Sequence, residues 1–334
     1  MRSLVTGGGG FLGGAIVRRL LARGDDVRSF SRGTYPELEK LGVEVRRGDL
    51  CDSEAVSAAV EGCQRVFHVA ALPGVWGAYE EYHRTNVVGT DNVLAACRAH
   101  GVTKLVYTST PSVVHAGGDI EGGDESLPYA KEFSAHYPRT KAIAEQRVLA
   151  ANGEKLCTVV LRPHLIWGPG DNHLIPRIVA RGRAGRLCLI GKRSNMIDTV
   201  YIDNAADAHI LAADRLEPHA ACAGKAYFIS NGEPLPLAEI TNGILAAAGL
   251  PPVTRHIPSS VAYGIGALAE FVYGLLRIRS EPPLTRFVAR QLSTAHWFEI
   301  RAARRDLGYE PAVSIGEGLR RLAESMWKDQ ASPA

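Results

Sequence analysis

The sequence predicts an α/β fold, a doubly wound parallel sheet followed by a smaller, mostly helical C-terminal part. Three observations carry this expectation. Short β-rich runs alternate with helical patterns through the first half of the chain. A glycine-rich turn joins the first such run to the first helix. The chain has 334 residues, 46% of them apolar and 22% charged, which allows a large core and argues against disorder.

The strand-like runs are Ser3–Val5, Val27–Phe30, Val43–Val45, Arg65–Val69, Lys104–Tyr107 and Thr158–Leu161. They are short, rich in Val, Leu and Phe, and bounded by Gly, Asp or Arg. Between them, Leu12–Ala22, Asp52–Val60, Asn86–Ala99 and Lys141–Ala151 repeat apolar residues with a period near 3.6. Such alternation implies a parallel sheet covered on both faces. After Leu161 the rhythm changes. Pro163, Gly168, Pro169 and Gly170 mark a loop, then come a helix at Leu174–Ala180, a strand at Thr199–Ile202, a helix at Asn204–Ala213 and a strand at Ala226–Ile229. The tail from Pro236 reads as mostly helical. Within it, Val261–Leu276 is strongly apolar, shorter than a spanning helix needs, and interrupted by Glu270. It reads as a buried helix, with a helix lying on a membrane or lining a lipid entry route as the second reading.

A formal net charge of +3 is too weak over this length to predict a nucleic-acid partner. The six cysteines (51, 63, 97, 157, 188 and 222) lack the spacing of a zinc site or a redox pair, so reduced thiols in a cytoplasmic protein and no metal are expected. The opening "MRSLVTGG" puts the glycine turn where a signal peptide would stay apolar, so none is expected.

The turn reads Thr6-Gly7-Gly8-Gly9-Gly10-Phe11-Leu12-Gly13. Gly7, Gly10 and Gly13 have the spacing of a dinucleotide fingerprint: one glycine turns the chain, one admits a pyrophosphate, one lets helix pack on strand. The helix N-terminus at Phe11 and Leu12 then offers free N–H groups and a positive dipole end. This is the phosphate site of a Rossmann-type domain. At the tip of the second strand an acidic residue would favour NAD, but the sequence has Ser31-Arg32. Ser31 can donate a hydrogen bond and Arg32 can pair with a 2′-phosphate, so NADP(H) is the expected cofactor. Asp49-Leu50 follows the third strand, where adenine would lie; Asp49 either accepts from its amine or caps the next helix. Ala70 and Ala71 end the fourth strand with little bulk.

Tyr137 and Lys141 stand four residues apart and share a helix face. A phenol titrates near ~10 when unperturbed, and a neighbouring ammonium lowers that value. The pair can pass a proton to or from a carbonyl oxygen, and Lys141 can also hold the ribose. Pro138 is tolerable only in a first helical turn, so Tyr137 belongs at the helix start. The fifth strand runs into Thr108-Ser109-Thr110-Pro111-Ser112, hydroxyls at the end of a sheet strand facing the crevice. At least one is expected to hold the substrate oxygen, and spacing does not choose among them.

Together these residues resemble the extended short-chain dehydrogenase/reductase family. Further carriers are Asn86 with Gly89-Thr90, Arg162-Pro163 with Gly168-Pro169-Gly170, and Tyr201-Ile202-Asp203-Asn204. The resemblance implies Thr110 as the catalytic hydroxyl, Asn86 at the cofactor site, and Pro163 to Ile166 packed on the nicotinamide. The C-terminal half resembles the 3β-hydroxysteroid dehydrogenase-like branch, through Glu281-Pro282-Pro283-Leu284-Thr285-Arg286, His296-Trp297-Phe298 and Asp306-Leu307-Gly308-Tyr309. That branch includes steroid and sterol dehydrogenases and bacterial reductases of 2-alkyl-3-oxoalkanoic acids in olefin biosynthesis. The chain as a whole looks most like the latter.

The implied function is NADPH-dependent reduction of a long-chain 2-alkyl-3-oxo acid. Oxidation of a 3β-hydroxysteroid or sterol is the alternative, and a non-catalytic NADP sensor the remote one. The alkyl arms need an apolar slot, with Val261–Leu276 as one wall; His164, His173 and Arg193 are candidates for the carboxylate. The cofactor domain is expected at residues 1–165 with segments returning near 198–232, and the substrate domain at 166–197 and 233–330. A homodimer is the expected assembly, with membrane contact or neighbouring pathway enzymes as further partners.

Overall fold

The computed structural model describes residues 1–192 and 194–331. Its centre is a seven-stranded parallel sheet. The strands are β1 (Arg2–Thr6), β2 (Asp26–Ser31), β3 (Glu44–Arg47), β4 (Arg65–His68), β5 (Lys104–Thr108), β6 (Cys157–Pro163) and β7 (Lys225–Ile229). Their order is β7-β6-β5-β4-β1-β2-β3. The chain leaves β1 toward β2 on one side and returns to β4 on the other, so the strand order reverses there. A ligand crevice forms at the carboxyl ends of strands on either side of such a reversal.

Alternation along each strand explains why both faces are covered. On β1, Leu4 joins one buried cluster and Val5 the other; on β5, Leu105 and Val106 divide the same way. Helices α1 (Phe11–Ala22) and Ile202–Arg215 supply Ile16, Leu20, Ala205 and Ala212 to the first cluster. Helices Ser53–Val60, Gly89–Ala99 and His136–Ala150 supply Val56, Val93 and Val148 to the second.

The C-terminal part is helical around a small core, with Leu174–Arg183, Leu237–Ala247, Ser259–Leu275, Arg286–Ser293 and Ile315–Ala331. It also holds a four-stranded sheet that the reading of a helical tail missed: Leu235–Pro236, Met196–Ile197, His296–Phe298 and Ile120–Gly123. These strands are two to four residues long and come from four distant segments. Runs that short carry no periodicity to read.

One expectation is overturned outright. The apolar segment after Val261 forms a helix, but it is not buried. Only Ala262 and Gly266 are buried in Ser259–Leu275, while Ile265, Leu268, Phe271 and Leu275 face outward. The reason lies in the partner surface. A Cβ on Gly266 would stand 2.8 Å from the Arg286 nitrogen, so the helix approaches its neighbour through its smallest residues. Among the described residues no helix is long and apolar enough to cross a membrane.

Candidate active site

A cleft of about 580 Å³ lies at the carboxyl end of the sheet, across the reversal at β1 and β4. The glycine turn forms its floor. Gly7 has φ +71, a left-handed conformation that disfavours a side chain. A Cβ on Gly13 would stand 2.1 Å from the Gly7 carbonyl oxygen, so only glycine lets α1 pack this close. Gly10 caps α1 without a side-chain bond, which leaves the first N–H groups of the helix free to face the cleft. Thr6 sets the turn beside β4: its Oγ1 accepts from the Val69 and Ala70 N–H groups, both at 3.1 Å, and pairs with buried His68 at 2.9 Å. Burial drives the His68 imidazole down to about 3, so it stays neutral.

The expected cofactor residues Gly7, Gly10, Phe11, Leu12, Ser31, Arg32, Asp49, Leu50, Ala70, Ala71, Pro163 and Ile166 all line this one cleft. The Ser31 hydroxyl is buried there without a hydrogen-bond partner. Together with the uncapped helix end, this orphaned group fits a polar ligand at the tip of β2. Asp49 does not cap a helix. Asp52 does that, accepting from the Glu54 and Ala55 N–H groups at 3.1 Å. Asp49 instead accepts from the Cys51 N–H, and that bond, with Arg32 and Arg84 nearby, holds its carboxyl below the usual range.

Asn86 sits elsewhere than the resemblance implied. It is buried, accepts from the Leu72 N–H at 2.7 Å, and donates to the Leu72 carbonyl and Thr140 at 3.1 Å. It pins the segment after β4 rather than lining the cleft. Tyr35, Asp171 and Asn172 line the cleft and were not anticipated. Tyr35 lies against Gly9, where a Cβ would meet its ring at 2.3 Å. The signal was Gly9, a glycine that the Gly7, Gly10, Gly13 spacing does not require.

Tyr137 is the second residue of helix His136–Ala150, with Pro138 in the first turn. Its phenol shares the cleft with Thr110. Of the hydroxyls after β5, Thr108 pairs with His209 at 2.9 Å and Ser109 donates to buried Glu145. Thr110 lines the cleft beside Tyr137, with its hydroxyl donating to the Ser112 hydroxyl at 3.3 Å and accepting from the Ser112 N–H at 3.2 Å. Glu145 also accepts from Tyr129 at 2.9 Å and Arg162 at 2.5 Å, a buried network that ties the ends of β5 and β6 together behind the site.

Lys141 departs from expectation in its electrostatics. Its Nζ donates to the Thr108 carbonyl at 2.6 Å and lies 4.1 Å over the Tyr107 ring. Burial lowers the Lys141 ammonium to about 7, opposed by Glu145. Burial raises Tyr137 to about 12, opposed by the neighbouring Thr110 hydroxyl. The ammonium does not pull the phenol down, because it is turned to the Thr108 carbonyl and is itself losing its charge to desolvation. A phenol held this high stays protonated at neutral pH, the state a proton donor needs.

His164 is not in the cleft. It is buried, paired with Asp198 at 2.5 Å and edge-on to His296 at 5.0 Å. His173 does line the cleft, just before helix Leu174–Arg183. Arg193 lies outside the described residues. Leu165, between His164 and the cleft-lining Ile166, has φ +44. It lines both the cleft and a second pocket of about 200 Å³ in the C-terminal part. That pocket is walled by Ile178, Ile190, Ile240, Pro283 and Leu292, with Arg177 and Arg181 also lining it. Helix Ser259–Leu275 contributes nothing to it, so the expected wall of the apolar slot is supplied by other elements.

Residues 4–257 match the 3-beta hydroxysteroid dehydrogenase/isomerase family. The chain is 60% identical over 327 residues to a 2-alkyl-3-oxoalkanoate reductase of Stenotrophomonas maltophilia, covering 97% of this chain and 99% of that one. It is 53% identical to a Shewanella oneidensis protein of the same name, covering 97% and 86%. Against the mouse sterol-4-alpha-carboxylate 3-dehydrogenase, decarboxylating, identity is 35%, covering 96% and 90%. Among solved structures, the UDP-glucose 4-epimerase of Thermus thermophilus in complex with NAD superposes with a TM-score of 0.74 at 27% identity, covering 98% and 99%. The chain is thus an oxidoreductase with an NAD(P)-binding Rossmann-type fold. Similarity running nearly end to end, over a sheet and glycine turn of this kind, places the chain in the 3-beta hydroxysteroid dehydrogenase/isomerase family.

Proposed function

We propose that this protein reduces the ketone of a long-chain 2-alkyl-3-oxoalkanoic acid to the hydroxyl, using NADPH. The observation that carries the reading is the position of Leu165. It joins a polar cleft holding Tyr137 and Thr110 to an apolar pocket of the C-terminal part. A substrate with a reacting ketone and greasy arms needs both spaces, side by side. The two bacterial relatives with the highest identities reported above carry the matching name.

When bound, the reduced nicotinamide supplies hydride to the ketone carbon. Thr110 donates a hydrogen bond to the ketone oxygen and holds it toward Tyr137. The Tyr137 phenol gives that oxygen its proton. Lys141, beneath them, binds the ribose side of the cleft and returns a proton to the phenol after turnover. The free N–H groups of α1 receive the pyrophosphate. Arg32 and Ser31 receive the 2′-phosphate, which selects NADPH over NADH. His173 faces the substrate carboxylate, and one alkyl arm passes Leu165 into the apolar pocket. Residues 1–165, with segments returning near 198–232, hold the cofactor; 166–197 and 233–330 hold the substrate.

The test follows nicotinamide absorbance in both directions with a 2-alkyl-3-hydroxy acid and its oxo form, beside a 3β-hydroxysteroid. Turnover of the branched acid, with NADP(H) preferred, is the expected result. Turnover of the steroid alone overturns the substrate assignment. Tyr137→Phe should abolish turnover while leaving NADPH binding unchanged; a variant that still turns over removes Tyr137 from the chemistry.

A further inference from the structure

The apolar pocket beyond Leu165 is closed in part by a strap that is neither helix nor strand. Helix Leu174–Arg183 begins where His173 leaves the cleft, and its Leu174 lines the pocket. Arg177 stands about one turn further along and Arg181 about two, roughly 10 Å from Leu174. Both reach across to the segment that links helix Ser259–Leu275 to helix Arg286–Ser293. Arg177 holds the Glu281 carboxylate through two bonds, at 3.0 and 3.2 Å. Arg181 donates to the Pro283 carbonyl at 2.7 Å. Glu281, Pro282 and Pro283 line the pocket, and Pro282 is buried.

The ends of this strap are fixed and its middle is not. At one end the Trp76 Nε1 donates to the Ile278 carbonyl at 3.1 Å. At the other, Leu284 packs on Ala262 and Ala289, and Gly266 meets the Thr285–Arg286 backbone. Between them, residues 279–283 make no backbone-to-backbone hydrogen bond among the described residues. The side chains of Arg177 and Arg181 hold them instead. Most of the remaining wall is firmer. Ile178, Ile240 and Val288 stand on three helices. Leu187–Cys188 is also irregular, but it is two residues long, between Arg186, whose N–H bonds the Arg181 carbonyl at 2.9 Å, and the strand Leu189–Ile190. The space inside is small. An apolar cavity of about 150 Å³ takes a benzene ring, six carbons, so the pocket's volume of about 200 Å³ takes on the order of eight.

We propose that the strap is the length gauge of the apolar pocket, and that Arg177, Arg181 and Glu281 set which alkyl arms the protein accepts. This rests on the reading that the pocket takes an alkyl arm. An arm of up to about eight carbons fits behind the strap. A longer arm reaches it and must push it aside to continue into solvent. That movement breaks the Arg177–Glu281 pair and the Arg181–Pro283 bond, and it breaks no backbone ladder. The exposed pair is worth up to about fivefold in an equilibrium, and a charged bond to a carbonyl about tenfold. Each methylene buried behind the strap tightens binding by about fourfold, whereas those beyond it lie in water and add little.

The test is kcat/KM for 2-alkyl-3-hydroxy acids with NADP⁺, one arm lengthened at a time. In the wild type the value should climb by about fourfold per carbon to about eight carbons and fall beyond. In Arg177→Gln/Arg181→Gln, the ratio for an arm of about twelve carbons over one of about eight should rise roughly tenfold or more. Arg177→Gln and Glu281→Gln should each raise that ratio a few-fold, and no further when combined, because they break one pair. Calorimetric binding of straight-chain fatty acids of the same lengths repeats the series without turnover. A break at about eight carbons that the double variant removes, in a protein that turns over no branched acid, keeps the gauge and overturns the substrate reading instead. No break in either series, or a break that the variants leave in place, overturns the gauge. So does an equal loss at every arm length, the mark of arginines that hold the carboxylate. With branched acids still turned over, these outcomes leave the substrate reading in place.

Discussion

Replacing Lys141 with methionine should stabilise the protein while destroying its activity, and the stabilisation should depend on pH in a stated direction. Burial lowers the ammonium from 10.5 to about 7. Each unit is worth 1.36 kcal/mol of preference between protonation states. Below pH 7 the folded protein holds a desolvated ammonium that the unfolded chain keeps in water, at a cost of about 5 kcal/mol. Between pH 7 and 10.5 the folded form is neutral, and the cost is that of removing a proton the unfolded chain would keep. It shrinks by about 1.4 kcal/mol per pH unit and vanishes above 10.5. Methionine at this position removes the titration and fills the same space. It also loses the bond to the Thr108 carbonyl and the contact over Tyr107, worth roughly 2–3 kcal/mol together. At pH 6 the variant should therefore gain on the order of 2 kcal/mol, and by pH 9 the difference should swing by about 3 kcal/mol toward wild type. Urea unfolding of the cofactor-free protein at both pH values measures this, with turnover read in parallel. A stability difference that is the same at pH 6 and pH 9 would refute the desolvated lysine.

Four further outcomes follow from the same geometry. Thr110→Ala should lower kcat by roughly 10²–10³ with little change in cofactor affinity, whereas Ser109→Ala should act mainly on stability, because its hydroxyl serves Glu145; steady-state kinetics and thermal melts separate the two. Arg32→Glu should weaken NADPH binding by about tenfold or more and leave NADH binding far less affected, measured by fluorescence titration of the bound dinucleotide. Glu145→Ala should cost about 3–5 kcal/mol in urea unfolding, since it leaves the Arg162 guanidinium buried without its partner. Leu165→Gly should relieve about 1–2 kcal/mol of left-handed strain, offsetting the lost side chain, and should change which chain lengths are accepted, read as kcat/KM across a series of alkyl acids.

The doubly wound sheet was legible because both of its faces are buried. Strands such as β5 are then apolar in succession, and Leu105 and Val106 serve opposite clusters without any alternation to confuse the reading. The glycine turn was legible for a different reason. The close approach of Gly13 to the Gly7 carbonyl admits one residue type, so the spacing itself records the geometry. Tyr137 and Lys141 were legible as a pair through helical spacing. Periodicity places two side chains on one face; it does not say that Lys141 turns to a strand carbonyl, because that partner belongs to a distant segment. The same limit explains the apolar helix. Its composition showed an apolar run from Val261 to Leu276, but which face meets the protein depends on what packs there, and Ala262 and Gly266 make the closer fit.

His164, a candidate for the substrate carboxylate that does not line the cleft, still bears on the site. Its imidazole is fixed by Asp198, whose other oxygen accepts from the Phe298 N–H at 3.0 Å, and its own N–H bonds the Ile229 carbonyl at 3.0 Å. The backbone just before Leu165 is therefore clamped from the main sheet and from the small sheet at once. Just beyond it, Ile166–Trp167 pairs with Val200–Tyr201. Between two fixed segments the chain has one residue in which to change direction, and Leu165 takes the left-handed conformation that a leucine ordinarily avoids. That conformation puts an apolar side chain at the junction of the polar cleft and the greasy pocket. A glycine would turn the chain with less strain, but it would leave the junction without a side chain. Retaining a leucine there, against its backbone preference, is what a site built to separate a reacting ketone from its alkyl arm requires.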